Sequence, residues 1–271
     1  AGFCGSDRGI WWRKSFKDMI HDSLAAEGAT RRTIGHEFVG EIVQVGSAAA
    51  AQFGYAPGQI VSSESHIVCG VCRQCRVGQY HVCNDDKIIG ISHNGAFAEY
   101  VKLPAGVLWP TDPEKIRLQV AALQEPFGNA LHCCQAVDMR GKTVAIFGTG
   151  TIGLFVVLAA RAMGAQRIIG IDPSPQHREL AAKLGCDLVI PVDTSRARDP
   201  ERPYAHDPAI VAAVREFTDG LGADISLEMA GFNDSLNNAI RATRRGGEIV
   251  LFGLQNADFT IEDFHRVIMN G

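Results

Sequence analysis

From residue 119 onward the chain alternates between two hydrophobic rhythms. Short apolar, β-branched runs recur at 143–148 (TVAIFG), 167–172 (RIIGID), 187–192 (DLVIPV), 224–230 (DISLEMA) and 248–253 (EIVLFG). Between them, apolar positions return every three or four residues over 152–164, 175–185, 207–218 and 233–244. Unbroken apolar runs suit strands buried on both faces, and the longer period suits helices with one buried stripe. This βαβ rhythm predicts a parallel sheet wrapped by helices on both sides. Helical spacing also runs through 120–138, where Pro126 and Gly128 are expected to break it. Segment 193–207 is charged and contains proline, so it reads as a surface loop.

Residues 1–118 have another texture. Segments 36–46, 58–65 and 95–104 read as short strands between glycines and prolines, with little helical periodicity. They predict a barrel-like β domain. The polar stretch 14–30 reads as a loop with a helical turn. The expected division is a β domain over 1–122 and an α/β domain over 123–271.

Residues 143–160 carry no charge and just reach membrane-spanning length. The glycines and threonines that interrupt them favour a buried strand, a tight turn and a helix start instead. Hydrophobic content of 46% and charged content of 21% are ordinary for globular chains. A net charge of −4 argues against a nucleic-acid partner. The opening residues show no secretory pattern, so a cytoplasmic location with reduced thiols is expected.

The run GTGTIG places Gly148, Gly150 and Gly153 between an apolar strand and an apolar helix, with Asp172 ending the next strand. In a dinucleotide site the first glycine permits the tight turn and the second lets the pyrophosphate approach the backbone. The third lets helix and strand pack closely. Thr151 and Ile152 open the helix, whose free N–H groups suit phosphate. Asp172 would accept ribose hydroxyls and repel a 2′-phosphate, favouring NAD over NADP. His177 and Arg178 lie close enough in sequence to soften that preference.

Four of the eight cysteines sit at 69, 72, 75 and 83, in the spacing C-x2-C-x2-C-x7-C. In a reducing compartment this predicts a closed, structural zinc site, with a redox pair or an iron–sulfur cluster as alternatives. Cys133, Cys134 and Cys186 read as small buried apolar residues. Cys4 in CGSD, and His36 with Glu37 in GHEFVG, offer thiolate, imidazole and carboxylate, which would suit a catalytic zinc. Spacing alone does not join residues 4 and 36.

Together, CGSD (4–7), GHEFVGEIVQVG (35–46), ESHIVCGVCRQCRVGQYHVCN (64–84), GAFAEYVKLP (95–104), LQEPFGNALH (123–132), the glycine turn and GADISLEMAG (222–231) resemble the zinc-containing medium-chain dehydrogenase/reductase family. The resemblance implies a GroES-like β-barrel catalytic domain followed by a Rossmann doubly wound parallel sheet. It implies a catalytic zinc on Cys4, His36 and Glu37, with Glu125 in or near the coordination sphere. Cys69, Cys72, Cys75 and Cys83 match the structural zinc lobe. Ser6 matches the hydroxyl that takes the substrate proton, and His81 a histidine near the substrate site. The implied reaction moves a hydride from a secondary alcohol to NAD. The substrate would be an amino alcohol such as threonine, or alternatively a polyol, and the chain would assemble as a dimer or tetramer. A non-enzymatic, zinc-stabilised nucleotide-binding protein is the competing reading.

Three departures from the family pattern stand out. Gly9 occupies the place of a relay histidine, the gap between Cys4 and His36 is long, and 193–207 is enlarged. Family chains also carry opening strands, a sixth Rossmann strand and a returning segment, so this chain is expected to be truncated at both ends.

Overall fold

The computed structural model describes residues 1–195, 199–254 and 258–271. Three residues of the predicted loop 193–207 therefore lie outside the described residues. The chain forms two compact units, 1–126 and 127–271.

In chain order, the first unit contains α1 (Gly5–Trp11), α2 (Lys17–Glu27), β1 (Gly40–Glu41), α3 (Ser47–Phe53), β2 (Ile60–Ser63) and β3 (His66–Ile67). Then come α4 (Arg73–Arg76), β4 (Lys87–Ile88), β5 (Leu108–Pro110) and α5 (Leu118–Ala121), before α6 (Gln124–Gln135) begins. β1, β2 and β5 form one antiparallel sheet, and β3 pairs with β4 in a second. Ile42, Tyr55 and Val61 make a small core beside them, and the Tyr55 hydroxyl donates to the Leu108 carbonyl at 2.8 Å.

The predicted strands are shorter here than their sequence pattern. Of 36–46, only Gly40–Glu41 is strand, and 95–104 forms none. The backbone of 95–97 is nonetheless paired. The N–H groups of Gly95, Ala96 and Phe97 donate to the carbonyls of Thr33, Gly35 and Ile34 at 2.8–2.9 Å. Their order is crossed, so the pairing is not a regular ladder. The polar stretch 14–30 is also more regular than its pattern suggests. It holds the three-turn helix α2, closed by Gly28 at φ +63.

Three glycines allow that crossed pairing. A Cβ on Gly95 would lie 2.2 Å from the Gly35 carbonyl oxygen, and one on Gly90 would lie 2.8 Å from the Gly35 nitrogen. Only bare backbone fits between the two segments.

The second unit contains β6 (Thr143–Phe147), α7 (Thr151–Ala162), β7 (Arg167–Asp172), α8 (Pro175–Leu184), β8 (Leu188–Pro191), α9 (Pro208–Phe217), β9 (Ala223–Glu228), α10 (Asn233–Ala242), β10 (Thr243–Leu251) and α11 (Phe264–Asn270). The five strands are parallel in the order β10-β9-β6-β7-β8. The sheet is doubly wound. Val144 and Ile146 of β6 enter one core with Val156 and Ala160 of α7, whereas Ala145 and Phe147 enter another with Ile210, Val214 and Ala239. Strand period two thus sends alternate residues to opposite faces. The uncharged run 143–160 is β6, the turn and α7. Among the described residues no helix is long and apolar enough to cross a membrane.

Two sequence expectations are corrected. Neither Pro126 nor Gly128 breaks α6, which runs unbroken over Gln124–Gln135. Pro126 falls in its first turn, where a backbone N–H has no intrahelical partner to lose. Cys186 is only half-buried, unlike Cys133 and Cys134, whose thiols burial pushes up to about 12 and about 11.

All three tryptophans lie in the first unit, at 11, 12 and 109. Urea unfolding followed by tryptophan fluorescence should show Gly95→Ala costing that unit about 1–3 kcal/mol. Gly46→Ala, whose Cβ would meet nothing within 4 Å, should change stability by less than about 1 kcal/mol.

Candidate metal centres and dinucleotide turn

Cys4 is the residue before α1, and His36 and Glu37 follow the crossed pairing of 33–35 with 95–97. The two segments are joined by Asp7, which is fully buried. Its Oδ2 accepts from the Cys4 N–H at 3.0 Å and its Oδ1 from the Gly35 N–H at 3.2 Å. The Gly2 N–H donates to the Glu37 carbonyl at 2.6 Å. A sulfur of Cys4, a ring nitrogen of His36 and a carboxylate oxygen of Glu37 thereby gather within 4.8 Å of one another.

The electrostatics of this group call for a cation. Burial pushes the Cys4 thiol up to about 11, and the Glu37 carboxyl is raised by burial and then by the neighbouring Glu125. His36 is buried, and its Nδ1 has no hydrogen-bond partner. Three donors of mixed sulfur, nitrogen and oxygen type suit zinc with an open position. Glu125, buried in the first turn of α6, accepts from the Ser65 hydroxyl at 2.8 Å. The half-buried Ser6 hydroxyl lies 3.8 Å from the Cys4 sulfur.

The second group is the cysteine lobe. Sulfur atoms of Cys69 and Cys75 are 4.0 Å apart, and those of Cys72 and Cys83 are 3.9 Å apart. Disulfide sulfurs would be about 2.05 Å apart. A tetrahedral zinc with bonds of about 2.3 Å sets its sulfurs about 3.8 Å apart, so the lobe has the dimensions of a closed zinc site. Backbone N–H groups of Cys69, Cys72 and Cys75 donate to the sulfurs of Cys83, Cys69 and Cys72 at 3.3–3.5 Å. The Asn84 and Cys75 N–H groups draw the Cys72 thiol down to about 6. Burial and neighbouring thiols push Cys75 up to about 12. Loading this lobe must therefore expel protons.

His81 lies exposed on a short turn, Tyr80–Val82, and joins neither group of ligand atoms. Three polar groups around the first centre escaped the sequence reading. Asp7 follows Cys4 by three residues, the spacing of a capping carboxylate, and that was its one visible signal. Ser65 and the pair of His66 with Glu64, whose atoms are 3.3 Å apart, showed only as the start of the family-like stretch 64–84, with no role attached.

In the second unit, Gly148 has φ +102, and a Cβ there would press on Ala230 at 3.0 Å. Gly153 stands in α7 with its Cβ position 2.1 Å from the Gly148 carbonyl oxygen. Gly150 precedes α7 and faces open space, the gap a pyrophosphate would fill before the N–H groups of Thr151 and Ile152. Asp172 is buried and already engaged. Its oxygens accept from the N–H groups of Thr149 and Ser174, both at 2.8 Å, with His177 Nδ1 at 3.2 Å. Ribose hydroxyls would have to share this carboxylate with the turn it braces. Arg178 folds back, donating to the carbonyls of Asp172 and Pro173 at 2.7 Å.

These two glycines should separate in mutants. Gly150→Ala should leave stability within about 1 kcal/mol yet weaken NADH binding by about tenfold, or 1.4 kcal/mol, in a fluorescence titration. Gly153→Ala should lower both.

Residues 1–113 match the alcohol dehydrogenase GroES-like domain, and residues 151–271 the zinc-binding dehydrogenase domain. The L-threonine 3-dehydrogenase of Caldanaerobacter subterraneus subsp. tengcongensis is 35% identical over 272 residues, covering 100% of this chain and 71% of that protein. The alcohol dehydrogenase TADH from Thermus sp. ATN1 superposes with a TM-score of 0.79 at 28% identity, over 99% of this chain and 72% of that one. A zinc-binding dehydrogenase from Sinorhizobium meliloti 1021, bound to NADP, gives 0.76 at 29% identity, over 92% and 70%. With two matching domains and a relative of that identity and coverage, the chain belongs to the zinc-binding alcohol dehydrogenase family.

Proposed function

We propose that this zinc- and NAD-dependent oxidoreductase oxidises L-threonine at its secondary alcohol, giving 2-amino-3-oxobutanoate, NADH and a proton. The observation that carries the reading is the mixed donor set of Cys4, His36 and Glu37, gathered within 4.8 Å in a chain similar to an L-threonine 3-dehydrogenase. In this reading those three residues hold the catalytic zinc with Glu125 beside it, and the four lobe cysteines hold a structural zinc. Gly148, Gly150, Thr151, Ile152, Gly153, Asp172 and Arg178 form the NAD site. The functional division lies at 122/123, and the enzyme works in the cytoplasm as a dimer or tetramer.

When bound, zinc supplies Lewis-acid polarisation and the nicotinamide supplies the hydride acceptor. The chain's own residues do the rest. Asp7 fixes the backbone of the two ligand segments, so the donors are pre-set. Ser6, beside the Cys4 sulfur, takes the hydroxyl proton and passes it outward. With Gly9 in the place of the relay histidine, that proton ends in water or on another group. Ser65 holds the Glu125 carboxylate in place. His81, exposed on the lobe, contacts substrate from outside the ligand group.

The test is NADH formation by the full-length, zinc-loaded protein with L-threonine, sorbitol and simple alcohols. Threonine should give the highest kcat/KM by at least about tenfold, or 1.4 kcal/mol. Preference for sorbitol would assign the enzyme to polyols, and no turnover of any of them would leave a nucleotide-binding protein. Ser6→Ala should lower kcat by about 100-fold while metal analysis shows unchanged zinc.

A further inference from the structure

The second unit has a cationic corner that neither zinc nor the dinucleotide turn uses. Four elements bring arginines to it. Arg215 lies in the last turn of α9, Arg241 in the last turn of α10, Arg245 in β10 and Arg266 in α11. Arg215 donates to the Arg241 carbonyl at 3.3 Å, which fixes the two helix ends side by side. Arg245 donates to Asn270 at 3.3 Å, which ties β10 to α11.

Asp263 pairs with Arg241. The nearby Arg244 is separately neutralised by Asp224 at 2.6 Å. The Nε atoms of both Arg241 and Arg266 are buried and have no hydrogen-bond partner. Burial, and then the charges of Arg241 and Arg215, hold Arg266 below its ordinary value.

Helix polarity accounts for two of these arginines. A cation in the last turn of α9 or α10 faces the negative end of the helix dipole. It does not account for Arg266, which sits in the first turn of α11 against three like charges. Neighbouring guanidinium groups, two of them with a buried Nε–H that has no hydrogen-bond partner, match a compact anion bearing several oxygens.

We propose that Arg215, Arg241, Arg245 and Arg266 form a binding site for a phosphate-type dianion, either the free ion or the phosphate of a small metabolite. The site lies at the edge of the sheet where β9 and β10 begin, with Thr243 paired to Ala223. The glycine turn follows the other end of β6. The length of a strand, about 17–20 Å, therefore separates this site from the dinucleotide phosphates. It is independent of the substrate reading.

The experiment uses the full-length, zinc-loaded protein with saturating NADH, so that the dinucleotide turn is filled. Thermal unfolding is followed while inorganic phosphate is titrated against sodium chloride of equal ionic strength. Phosphate should raise the midpoint saturably by several degrees beyond the chloride control. Arg266→Gln should raise the midpoint without phosphate, because a like charge is removed, and should abolish the phosphate increment. The exposed Arg245→Gln should weaken the apparent phosphate affinity several-fold. A parallel titration with AMP separates the two sources. Tighter binding than phosphate assigns the site to phosphorylated metabolites, and equal binding assigns it to the free ion. The proposal is overturned if phosphate acts no differently from chloride. It is also overturned if Arg266→Gln lowers the midpoint and keeps the phosphate increment, since Arg266 would then be partnered elsewhere in the full-length chain.

Discussion

The Asp7 carboxylate accepts one N–H from Cys4 and one from Gly35, and the candidate catalytic centre depends on that bridge. A hydrogen bond from an N–H to a carboxylate is worth about 1.5–3 kcal/mol, so the pair can hold the turn at residue 4 against the segment at residue 36. Behind them, Gly35, Gly90 and Gly95 let two backbones meet where no side chain would fit. The result has an electrostatic cost. Asp7, Glu37 and Glu125 are all buried, and the Cys4 thiol lies among them. Carboxylates so placed are costly unless a cation balances them. The protein has built the geometry of the centre out of the charge that makes the metal necessary, so metal binding and local stability are one linked equilibrium.

The two metal groups differ in how their donors are held. In the lobe, N–H groups of Cys69, Cys72 and Cys75 point at sulfurs within the same short segment. All the information is local, and the four-cysteine spacing displayed it. At the first centre the donors come from residues 4, 36 and 37, and their convergence rests on Asp7 and on the pairing of 33–35 with 95–97. No spacing rule spans such a distance. The residues were legible only through family resemblance, and Asp7, which joins them, looked like any turn aspartate.

The α/β unit was easier to read, because its strands are buried on both faces and so carry unbroken apolar runs. All five expected strands and the helices between them are present. What the pattern missed was context. Pro126 looked like a helix breaker until its first-turn position was known. Asp172 looked like an open acceptor for ribose, yet its carboxylate first holds the Thr149 and Ser174 N–H groups. In the first unit the glycine-rich pattern overstated the strands, since 95–97 pairs in crossed order with 33–35 and forms no ladder. The arginine corner was invisible for the same reason as Asp7. Its members are scattered between residues 215 and 266 and meet only in the folded chain.

Zinc content before and after Cys4→Ser tests the central claim, that this chain carries one zinc on Cys4, His36 and Glu37 and another on the four-cysteine lobe. The full-length protein should contain two zinc ions per chain, and the variant should retain one. A single zinc in the unmutated protein, or two in the variant, would contradict the account.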